Sequence, residues 1–292
     1  VISSIEKFAD LAPLHNPPNL TGIKAAQSIM PNIPQIACFD TAFHTSIPQT
    51  AFLYALPYDI YEKYRVRKYG FHGTSHKYVA QRCAVLLGKK LEEVNIITCH
   101  LGNGCSMTAV KNGKSVDTSM GLTPLEGLVM GTRTGDFDPA ILFYLADKGY
   151  SVSDLNNMCN KKSGLLGISG ISNDMRNLRE QISKGNKRSQ LAFNIFCYRI
   201  KKYIGAYTAV VGRLDAVVFT GGIGENTPEV RLLACSELLQ IGIEIDNDAN
   251  VRNNHKEGLI SSASSRVKVF IIPTNEELAI AQDTFALTNS KF

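Results

Sequence analysis

The chain has 292 residues, of which 44% are hydrophobic and 20% are charged, and its formal net charge is +5. Such a chain can bury a sizeable core and is long enough for two domains. No run approaches the ~18 uninterrupted apolar residues of a membrane span. The first ten residues, with Glu6 and Asp10 among them, lack the basic-then-apolar layout of a signal peptide. We therefore expect a cytoplasmic protein.

Cysteine usage and charge distribution exclude two further classes. Seven cysteines, mostly in apolar runs and without a C-x-x-C pair, indicate buried thiols in a reducing compartment rather than a structural zinc site. The densest basic stretch, residues 63–68 with Tyr64 inside it, is the one candidate for a nucleic-acid patch. Because the net charge is modest for this length, a solvated face or a small-anion site is favoured there.

The helical spacing of apolar residues predicts seven helices. The first should end before Pro17 and Pro18, because paired prolines cannot continue a helix. The third should be capped by Thr74 or Ser75 and should end at Gly88 in the left-handed conformation. The others are typical of capped amphipathic helices. The predicted ranges are 3–12, 21–30, from 74 or 75 to 88, 139–148, 173–183, 190–211, and 228–240 behind a Thr227 cap.

Four short runs are rich in β-branched residues and apolar at nearly every position, which predicts strands buried on both faces and a mixed α/β architecture. They cover residues 36–39, 94–99, 216–220 and 267–272. Asn112 and Gly113 between two further runs predict a type I′ hairpin, since both residues tolerate positive φ. A linker between domains is expected within residues 39–48.

Three of the buried runs are followed by turns rich in glycine and polar residues, at 100–104, 221–226 and 273–277. Glycine lets backbone N–H groups approach an anion closely, and a turn that leads into a helix adds the positive end of the helix dipole. A single such turn is more often a plain connection between elements. Three of them at strand ends favour a phosphate-binding site.

Two common nucleotide motifs are excluded. Residues 113–115 (Gly-Lys-Ser) match the end of a Walker loop, but Thr108 stands where the first glycine should be and the context is a hairpin. Gly222 and Gly224 lack the third glycine of a dinucleotide fingerprint, because Thr227 holds that place. Any phosphate site therefore uses loops of another kind.

Two more polar groups have both a catalytic and a structural interpretation. His72 and His76 have the i,i+4 spacing of a zinc pair, but no Glu lies between them and Gly73 interrupts the stretch, so each is equally a structural hydrogen-bonding group. Arg133, flanked by Gly131 and Gly135, suits a guanidinium presented from a loop. The alternative is an ion pair with Asp136 or Asp138.

Eight segments, in this order, resemble the acetate kinase family, and the resemblance covers nearly the whole chain. Eight ordered matches make the resemblance specific. The segments are His15-Asn-Pro-Pro-Asn19, Phe39-Asp-Thr-Ala-Phe-His44, Tyr69-Gly-Phe-His-Gly-Thr-Ser-His76, His100-Leu-Gly-Asn-Gly104, Gly131-Thr-Arg-Thr-Gly-Asp136, Ser172-Asn-Asp174, Gly221-Gly-Ile-Gly-Glu-Asn226 and Thr274-Asn-Glu-Glu277.

The resemblance implies an actin-like ATPase (ribonuclease H-like) α/β fold with two related domains and ATP between them. It implies reversible phosphoryl transfer between ATP and acetate, giving acetyl phosphate and ADP, in a cytoplasmic homodimer that requires magnesium or manganese. Residues 1–42 and 278–292 would belong to the first domain, and residues 43–277 would form the C-terminal nucleotide-binding and dimerisation domain.

Roles for individual residues follow from the same resemblance. His72 and Arg133 would steady the phosphoryl group during transfer, Asp40 would be the catalytic carboxylate, and Glu276 would serve the metal. Met175 replaces an aromatic residue found in some relatives. The nucleotide would contact His100, Leu101, Gly102, Asn103, Gly104, Asp174, Met175, Arg176, Gly222, Ile223, Gly224, Glu225 and Asn226, and the acetate pocket would contain Leu14, His15, Phe71 and Pro124.

This sequence departs from the family pattern in one respect. Family members begin with a strand and a hairpin of the type Asn-x-Gly-Ser-Ser-Ser and later carry an Arg that binds the substrate carboxylate, and neither occurs in these 292 residues. The first domain is therefore expected to be truncated, and we expect little or no activity from this chain alone.

Three alternative functions are weighed against acetate kinase. A propionate kinase would differ in its pocket by little more than one methylene, worth ~1–3 kcal/mol. A catalytically incomplete ATP-binding scaffold would explain the missing motifs, but Asp40, His72 and Arg133 are all of the expected type. An NAD-linked oxidoreductase is disfavoured by the glycine spacing.

Overall fold

The computed structural model describes residues 1–7 and 16–289. The chain divides into two compact units, one formed by Val1–Cys38 with Glu277–Phe292 and the other by Phe39–Glu276. The assignment of residues 1–42 with 278–292 and of residues 43–277 to two domains of one family fold remains a proposal.

The elements of the described residues are numbered in chain order. The helices are α1 (Ile2–Lys7), α2 (Asn16–Ile29), α3 (Gln49–Phe52), α4 (Tyr58–Tyr64), α5 (Gly73–Leu86), α6 (Ala140–Asp147), α7 (Val152–Lys161), α8 (Gly164–Ser169), α9 (Met175–Ser183), α10 (Lys187–Val211), α11 (Gly221–Asn226), α12 (Pro228–Ala234), α13 (Asn247–Arg252) and α14 (Glu276–Asn289). The strands are β1 (Asn95–Leu101), β2 (Cys105–Lys111), β3 (Lys114–Thr118), β4 (Ala216–Thr220), β5 (Gly258–Leu259) and β6 (Lys268–Ile271). Short 3₁₀ helices cover Ala42–Ser46, Leu91–Glu93 and Leu239–Ile241.

The smaller unit contains α1, α2 and all of α14 except its first residue. Pro17 and Pro18 lie in the first turn of α2, so the prediction that this helix begins at residue 21 is wrong. The first backbone N–H groups of a helix have no partner within it, so prolines there cost no hydrogen bond. The predicted helix at 3–12 is confirmed only as α1, since residues 8–12 lie outside the described residues.

Two predictions around residue 40 are wrong. Residues 36–39 form no strand, because Phe39 is 49% exposed and the run has no neighbouring strand to pair with. The expected linker at 39–48 is instead part of the larger unit, where the 3₁₀ helix Ala42–Ser46 buries His44.

The larger unit is built on one mixed sheet with the strand order β3-β2-β1-β4-β6-β5. The central strands β1, β4 and β6 are parallel, while β2, β3 and β5 pair antiparallel with their neighbours. The three predicted strands at 94–99, 216–220 and 267–272 are therefore confirmed. Because parallel strands end at the same edge of a sheet, the three glycine and polar turns that follow them are brought together.

Helices cover both faces of this sheet, as the continuous apolar strands require. On one face Ile97, Val217 and Val269 belong to a core that includes much of α10. On the other face Ile96 and Val218 belong to a second core with α5. Successive residues of a strand point to opposite faces, so each central strand contributes to both cores.

The β2–β3 hairpin is confirmed. Asn112 and Gly113 have φ values of 49° and 77°, the left-handed conformations that a type I′ turn requires. The Gly-Lys-Ser sequence at 113–115 therefore starts an antiparallel strand and does not form a phosphate loop.

Several helix ends differ from prediction. The N-cap of α5 is His72, with a φ of 55°, rather than Thr74 or Ser75, whereas Gly88 just past its end is left-handed as predicted. Helix α12 ends at Ala234, six residues before the predicted end at residue 240, and the Thr227 side chain makes no capping hydrogen bond. The remaining predicted helices match α6, α9 and α10 to within three residues.

Six of the seven cysteines are buried thiols, as expected from their apolar context; they are Cys83, Cys99, Cys105, Cys159, Cys197 and Cys235. Burial raises the pKa of Cys105 and of Cys235 to about 12, so both stay protonated at neutral pH. Within residues 1–7 and 16–289, no helix has both the length and the apolar character needed to cross a membrane.

Candidate active site

The three predicted turns at the sheet edge are joined by direct contacts; we call them the first turn (100–104), the second turn (221–226) and the third turn (273–277), although residues 221–226 form the short helix α11 rather than an irregular turn. The Glu225 carboxylate accepts hydrogen bonds from the Gly221 N–H at 2.8 Å and the Thr274 N–H at 3.4 Å, which ties the second turn to the third. A Cβ placed on Gly221, which has a φ of 77°, would lie 2.8 Å from the carbonyl oxygen of Leu101, so the first and second turns are in contact too. Only glycine fits there.

A cavity of about 660 Å³ opens between the first two turns and the start of α9. This volume falls within the usual range for small-molecule sites, about 300–1,000 Å³. Eight of the thirteen predicted nucleotide contacts line it, namely Gly102, Asn103, Asp174, Met175, Arg176, Gly222, Ile223 and Asn226. Polar turn atoms and the apolar side chains of Ile223 and Met175 thus line one space.

The other five predicted nucleotide contacts lie beside this cavity. Leu101 is fully buried in the core, and Gly224 is packed close to the backbone of Phe219. The carboxylate of Glu225 accepts the hydrogen bonds from the Gly221 and Thr274 N–H groups described above. His100 and Gly104 lie next to His72, outside the set of residues that line the cavity.

Five cavity residues were not identified as contacts from the sequence, and one of them is Thr227, the residue before α12. Asn173 donates to the Asn103 side chain at 3.0 Å and so links α9 to the first turn. Arg179, one turn further along α9, lines the cavity and is bonded to Glu229 of α12 at 2.5 Å. Asn254 and His255 reach it from the segment after α13. In the sequence these residues resemble ordinary surface groups, and only the fold places them here.

His72 occupies a strained position at the start of α5. Its φ of 55° is rare for a residue with a side chain, and such strain is concentrated at functional sites. The Asp40 carboxylate accepts from the His72 N–H at 2.6 Å, which holds the backbone there. The His72 ring stacks on His100 with centroids 4.2 Å apart. Burial and the nearby Arg133 cation lower the pKa of His72 to about 4, so its imidazole is neutral at pH 7.

Arg133 faces the same space as His72. A Cβ placed on Gly104 would lie 3.3 Å from Arg133 Nη1 and 3.7 Å from His72 Nε2, so both donors border the first turn. Arg133 Nη1 donates to the Pro124 carbonyl at 3.1 Å. Asp136 instead accepts from Tyr203 at 2.7 Å and lies 3.7 Å from Arg199. Among the described residues no carboxylate forms an ion pair with Arg133, so the alternative structural interpretation is wrong.

The zinc interpretation of His72 and His76 is not supported by their contacts. Both ring nitrogens of His76 hydrogen-bond to hydroxyl groups, Nδ1 to Thr98 at 2.7 Å and Nε2 to Ser106 at 2.7 Å. Within the described part of the chain, no group of three or more His, Cys, Asp or Glu side chains is arranged to hold a metal ion.

Two carboxylates could share a divalent cation. Burial, and to a smaller degree the negative charge of Asp40, raise the pKa of Glu276, so the two carboxylates repel one another. A cation between them would relieve that repulsion. Magnesium commonly takes one or two protein carboxylates and completes its shell with phosphate oxygens and water, so this pair suits it.

Two of the four predicted acetate contacts can be located. Phe71 directly precedes His72, and its carbonyl accepts from His44 Nε2 at 3.0 Å. Pro124 is held next to the guanidinium of Arg133. Leu14 and His15 lie outside the described residues. Phe71 and Pro124 thus border the two donors that face the first turn.

Comparison with known proteins shows the family to which this chain belongs. The acetokinase family model matches residues 1–282. The acetate kinase of Halothermothrix orenii is 60% identical over 291 residues, which is 99% of this chain and 73% of that protein. The acetate kinase of Thermotoga maritima is 57% identical, over 97% of this chain and 71% of that protein. The chain belongs to the acetokinase family.

Solved structures of acetokinase family members share the fold. The acetate kinase of Porphyromonas gingivalis superposes with a TM-score of 0.96 at 47% identity, covering 98% of this chain and 72% of that one. A propionate kinase from Francisella tularensis gives a TM-score of 0.90 at 49% identity, covering 96% and 72%. The expected fold class is therefore confirmed. As an acetokinase, the protein is a phosphotransferase that uses ATP or ADP and a divalent metal.

Proposed function

We propose that this protein catalyses reversible phosphoryl transfer between ATP and acetate, giving acetyl phosphate and ADP. The observation that carries the proposal is the convergence of Arg133 and His72 on Gly104, beside a nucleotide-sized cavity. The nucleotide phosphates would lie along the first and second turns, with the adenosine part against Asp174, Met175 and Arg176 at the start of α9. The transferred group would then face both donors.

The reaction needs no general base. Acetate is ionised at neutral pH, so the nucleophile carries no proton to remove, and the main barrier is repulsion between two anions. Donors aimed at the equatorial oxygens of the phosphoryl group oppose that repulsion directly. Arg133 supplies a full positive charge, and the neutral His72 ring supplies a hydrogen-bond donor. Asp40 is therefore assigned to the metal and to the backbone of His72 rather than to proton abstraction.

Asp40 and Glu276 are the residues that would hold the metal, which we take to be magnesium, with manganese as the alternative. When bound, the metal neutralises charge on the phosphates. The protein's own part is to present two carboxylates whose mutual repulsion is relieved by a cation.

The test is an assay of the purified protein, at the full length that its gene encodes, with ADP, acetyl phosphate and magnesium, in which ATP formation is measured. Arg133→Gln removes the cation but keeps a polar side chain, and it should lower kcat by about 10³-fold or more, the range seen for such arginines in phosphoryl transfer. Arg188→Gln, at an exposed arginine that bonds to the Ile168 carbonyl, serves as the control and should change kcat little. ADP binding without any ATP formation would favour the scaffold alternative instead.

Propionate is the second candidate acceptor, since a solved propionate kinase is 49% identical to this chain. The two acids differ by one methylene, and a pocket distinguishes them by only ~1–3 kcal/mol. The ratio of kcat/KM for acetate and propionate decides between them. If kcat/KM for acetate divided by kcat/KM for propionate is below one, propionate is the preferred substrate.

We also propose that the protein is a cytoplasmic homodimer that associates through the larger unit. Helix α6 (sequence AILFYLAD) is strongly apolar, yet none of its residues is buried. Phe143 is 73% exposed and Tyr144 is 61% exposed. Exposed apolar patches of this kind mark interaction surfaces, and a second copy of the chain is the occupant we propose.

A further inference from the structure

A line of hydrogen bonds runs behind His72, away from the cavity. His72 Nδ1 lies 2.8 Å from the Ser106 hydroxyl, and the same hydroxyl lies 2.7 Å from His76 Nε2. His76 Nδ1 lies 2.7 Å from the Thr98 hydroxyl. Thr98, His76 and Ser106 are fully buried, so water does not compete for these bonds.

Proton counting limits this chain of bonds to two arrangements. A serine hydroxyl has one proton, and a neutral imidazole has one N–H and one acceptor nitrogen. If Ser106 donates to His72, it accepts from His76 Nε2–H, and His76 Nδ1 accepts from Thr98. If Ser106 donates to His76, His72 holds its proton on Nδ1, and Thr98 must accept.

The contacts favour the first arrangement. In the second, the Thr98 proton would have no acceptor, because the bond to His76 is the one hydrogen bond this hydroxyl makes within the described residues. Leaving a buried donor unpaired is costly. In the first arrangement every proton shared between these four side chains has an acceptor, and the remaining N–H of His72 is on Nε2. That nitrogen faces Gly104 and lies near Arg133.

We propose that Ser106 is a positioning residue that, together with His76 and Thr98, holds His72 in the Nε2–H tautomer, so that the ring donates a hydrogen bond to a phosphoryl oxygen. The role of this donor rests on the proposed function, whereas the tautomer itself does not. The other tautomer would present a lone pair to an anion and would repel it. Ser106 thus acts on the reaction without touching the substrate.

The first experiment reads the tautomer directly. Protein labelled with ¹⁵N-histidine is examined by long-range ¹H–¹⁵N correlation spectra, in which protonated and unprotonated ring nitrogens are well separated. His72→Asn and His76→Asn assign the signals. We expect Nε2 protonated and Nδ1 unprotonated in both rings. A proton on Nδ1 of His72 would overturn the proposal.

The second experiment removes the hydroxyl groups one at a time. In Ser106→Ala the His72 nitrogen signals should move toward the average of the two tautomers. Thr98→Val removes the other hydroxyl with almost no change of shape, so a folding defect is not expected. In this variant the His76 nitrogen signals should move toward the average of the two tautomers. Ser119→Ala is the matched control, because Ser119 is a buried serine that bonds to the Met107 N–H instead. Unchanged His72 signals in Ser106→Ala would refute the role of Ser106.

Kinetics add a readout specific to the reaction. Ser106→Ala should lower kcat by about 10- to 100-fold with little change in KM for ADP, a smaller loss than the ~10²–10³-fold expected for removing a donor outright. Ser119→Ala should leave kcat unchanged. The spectra are recorded without substrate, so a complete lack of phosphoryl transfer in the unmodified protein, at the full length that its gene encodes, would refute the proposed function alone.

Discussion

At the scale of single residues, Asp40 combines two tasks that a conservative substitution can separate. One carboxylate oxygen holds the strained His72 backbone by accepting its N–H. The negative charge acts on Glu276 and raises its pKa. An asparagine could still accept the hydrogen bond but would carry no charge, so it isolates the electrostatic task.

We predict that Asp40→Asn weakens the effect of magnesium on nucleotide binding while it keeps the shape of the site. Calorimetric titration of ADP with and without magnesium should show a clear gain in affinity for the unmodified protein and a much smaller gain for the variant. Asp59→Asn, at an exposed carboxylate on α4, is the control and should behave like the unmodified protein. An unaltered magnesium effect in Asp40→Asn would assign the metal to other groups.

At the scale of elements, the start of α5 is shaped by close approach of two backbone segments. The Gly73 N–H donates to the Asp40 carbonyl at 2.8 Å. A Cβ on Gly73 would overlap that carbonyl oxygen, a clash that only a backbone shift could relieve. The first residue of α5 is therefore glycine because Asp40 must lie against it, and the geometry of His72 depends on this contact.

We predict that Gly73→Ala destabilises the protein by about 1–3 kcal/mol, the usual cost of overpacking, and also weakens magnesium-dependent ADP binding because Asp40 is displaced. Gly205→Ala in α10 is the matched control, since nothing lies within 4 Å of the position that its Cβ would take. That control should stabilise by about 0.5–1 kcal/mol, because alanine loses less conformational entropy in a helix. Denaturant unfolding followed by circular dichroism gives both values. Equal stabilities for the two variants would contradict this account.

At the scale of the whole molecule, buried histidines should set the response to acid. Burial lowers the pKa of His44 to about 4 and that of His100 to about 3, and it lowers the pKa of His76 well below its usual value. Burial also lowers the pKa of His72, to about 4. The unfolded chain binds these protons near pH 6.5 and the folded protein does not, so stability is present above that pH and is lost as the pH falls.

We predict that the free energy of unfolding changes little between about pH 7 and pH 8 and falls below about pH 6.5, by up to about 1.4 kcal/mol per pH unit for each of these histidines. The chain has no tryptophan, so urea unfolding is followed by circular dichroism at several pH values. His44→Gln should reduce the slope of the unfolding free energy against pH below pH 6.5 by up to the contribution of one histidine. His255→Asn, at an exposed position, should leave that slope unchanged. A stability that does not change from pH 7.5 to pH 5.5 would disprove the prediction.

The proposed dimer is tested by the molecular mass of the protein in solution. Phe143→Asp in α6 should convert a species of twice the 32.0 kDa chain mass into monomer, because it places a charge in an apolar contact. Leu239→Asp, at a residue that is 61% exposed elsewhere in the larger unit, should leave the mass unchanged. Light scattering after size-exclusion chromatography measures both. A monomeric unmodified protein would rule out the homodimer.

Local features of the sequence were enough to predict several parts of this molecule. Runs that are apolar at nearly every position predicted β1, β4 and β6, since a strand buried on both faces is composed mostly of apolar residues. Asn112 and Gly113 predicted the hairpin, and the glycine-rich segments 100–104 and 221–226 were correctly singled out, since both line the cavity, although the second forms α11. In each case a few adjacent residues determine the backbone, so the information is contained in a short window.

Only the tertiary structure decided the remaining features, because they depend on residues far apart in the chain. His72, rather than Thr74 or Ser75, caps α5 because Asp40, 32 residues earlier, supplies the acceptor for its N–H. Arg179 lines the cavity because the fold brings α9 beside α12. The tautomer proposed for His72 depends on hydroxyl groups from two strands. The sequence by itself determines which chemical groups are available, and packing between distant segments determines which of them meet.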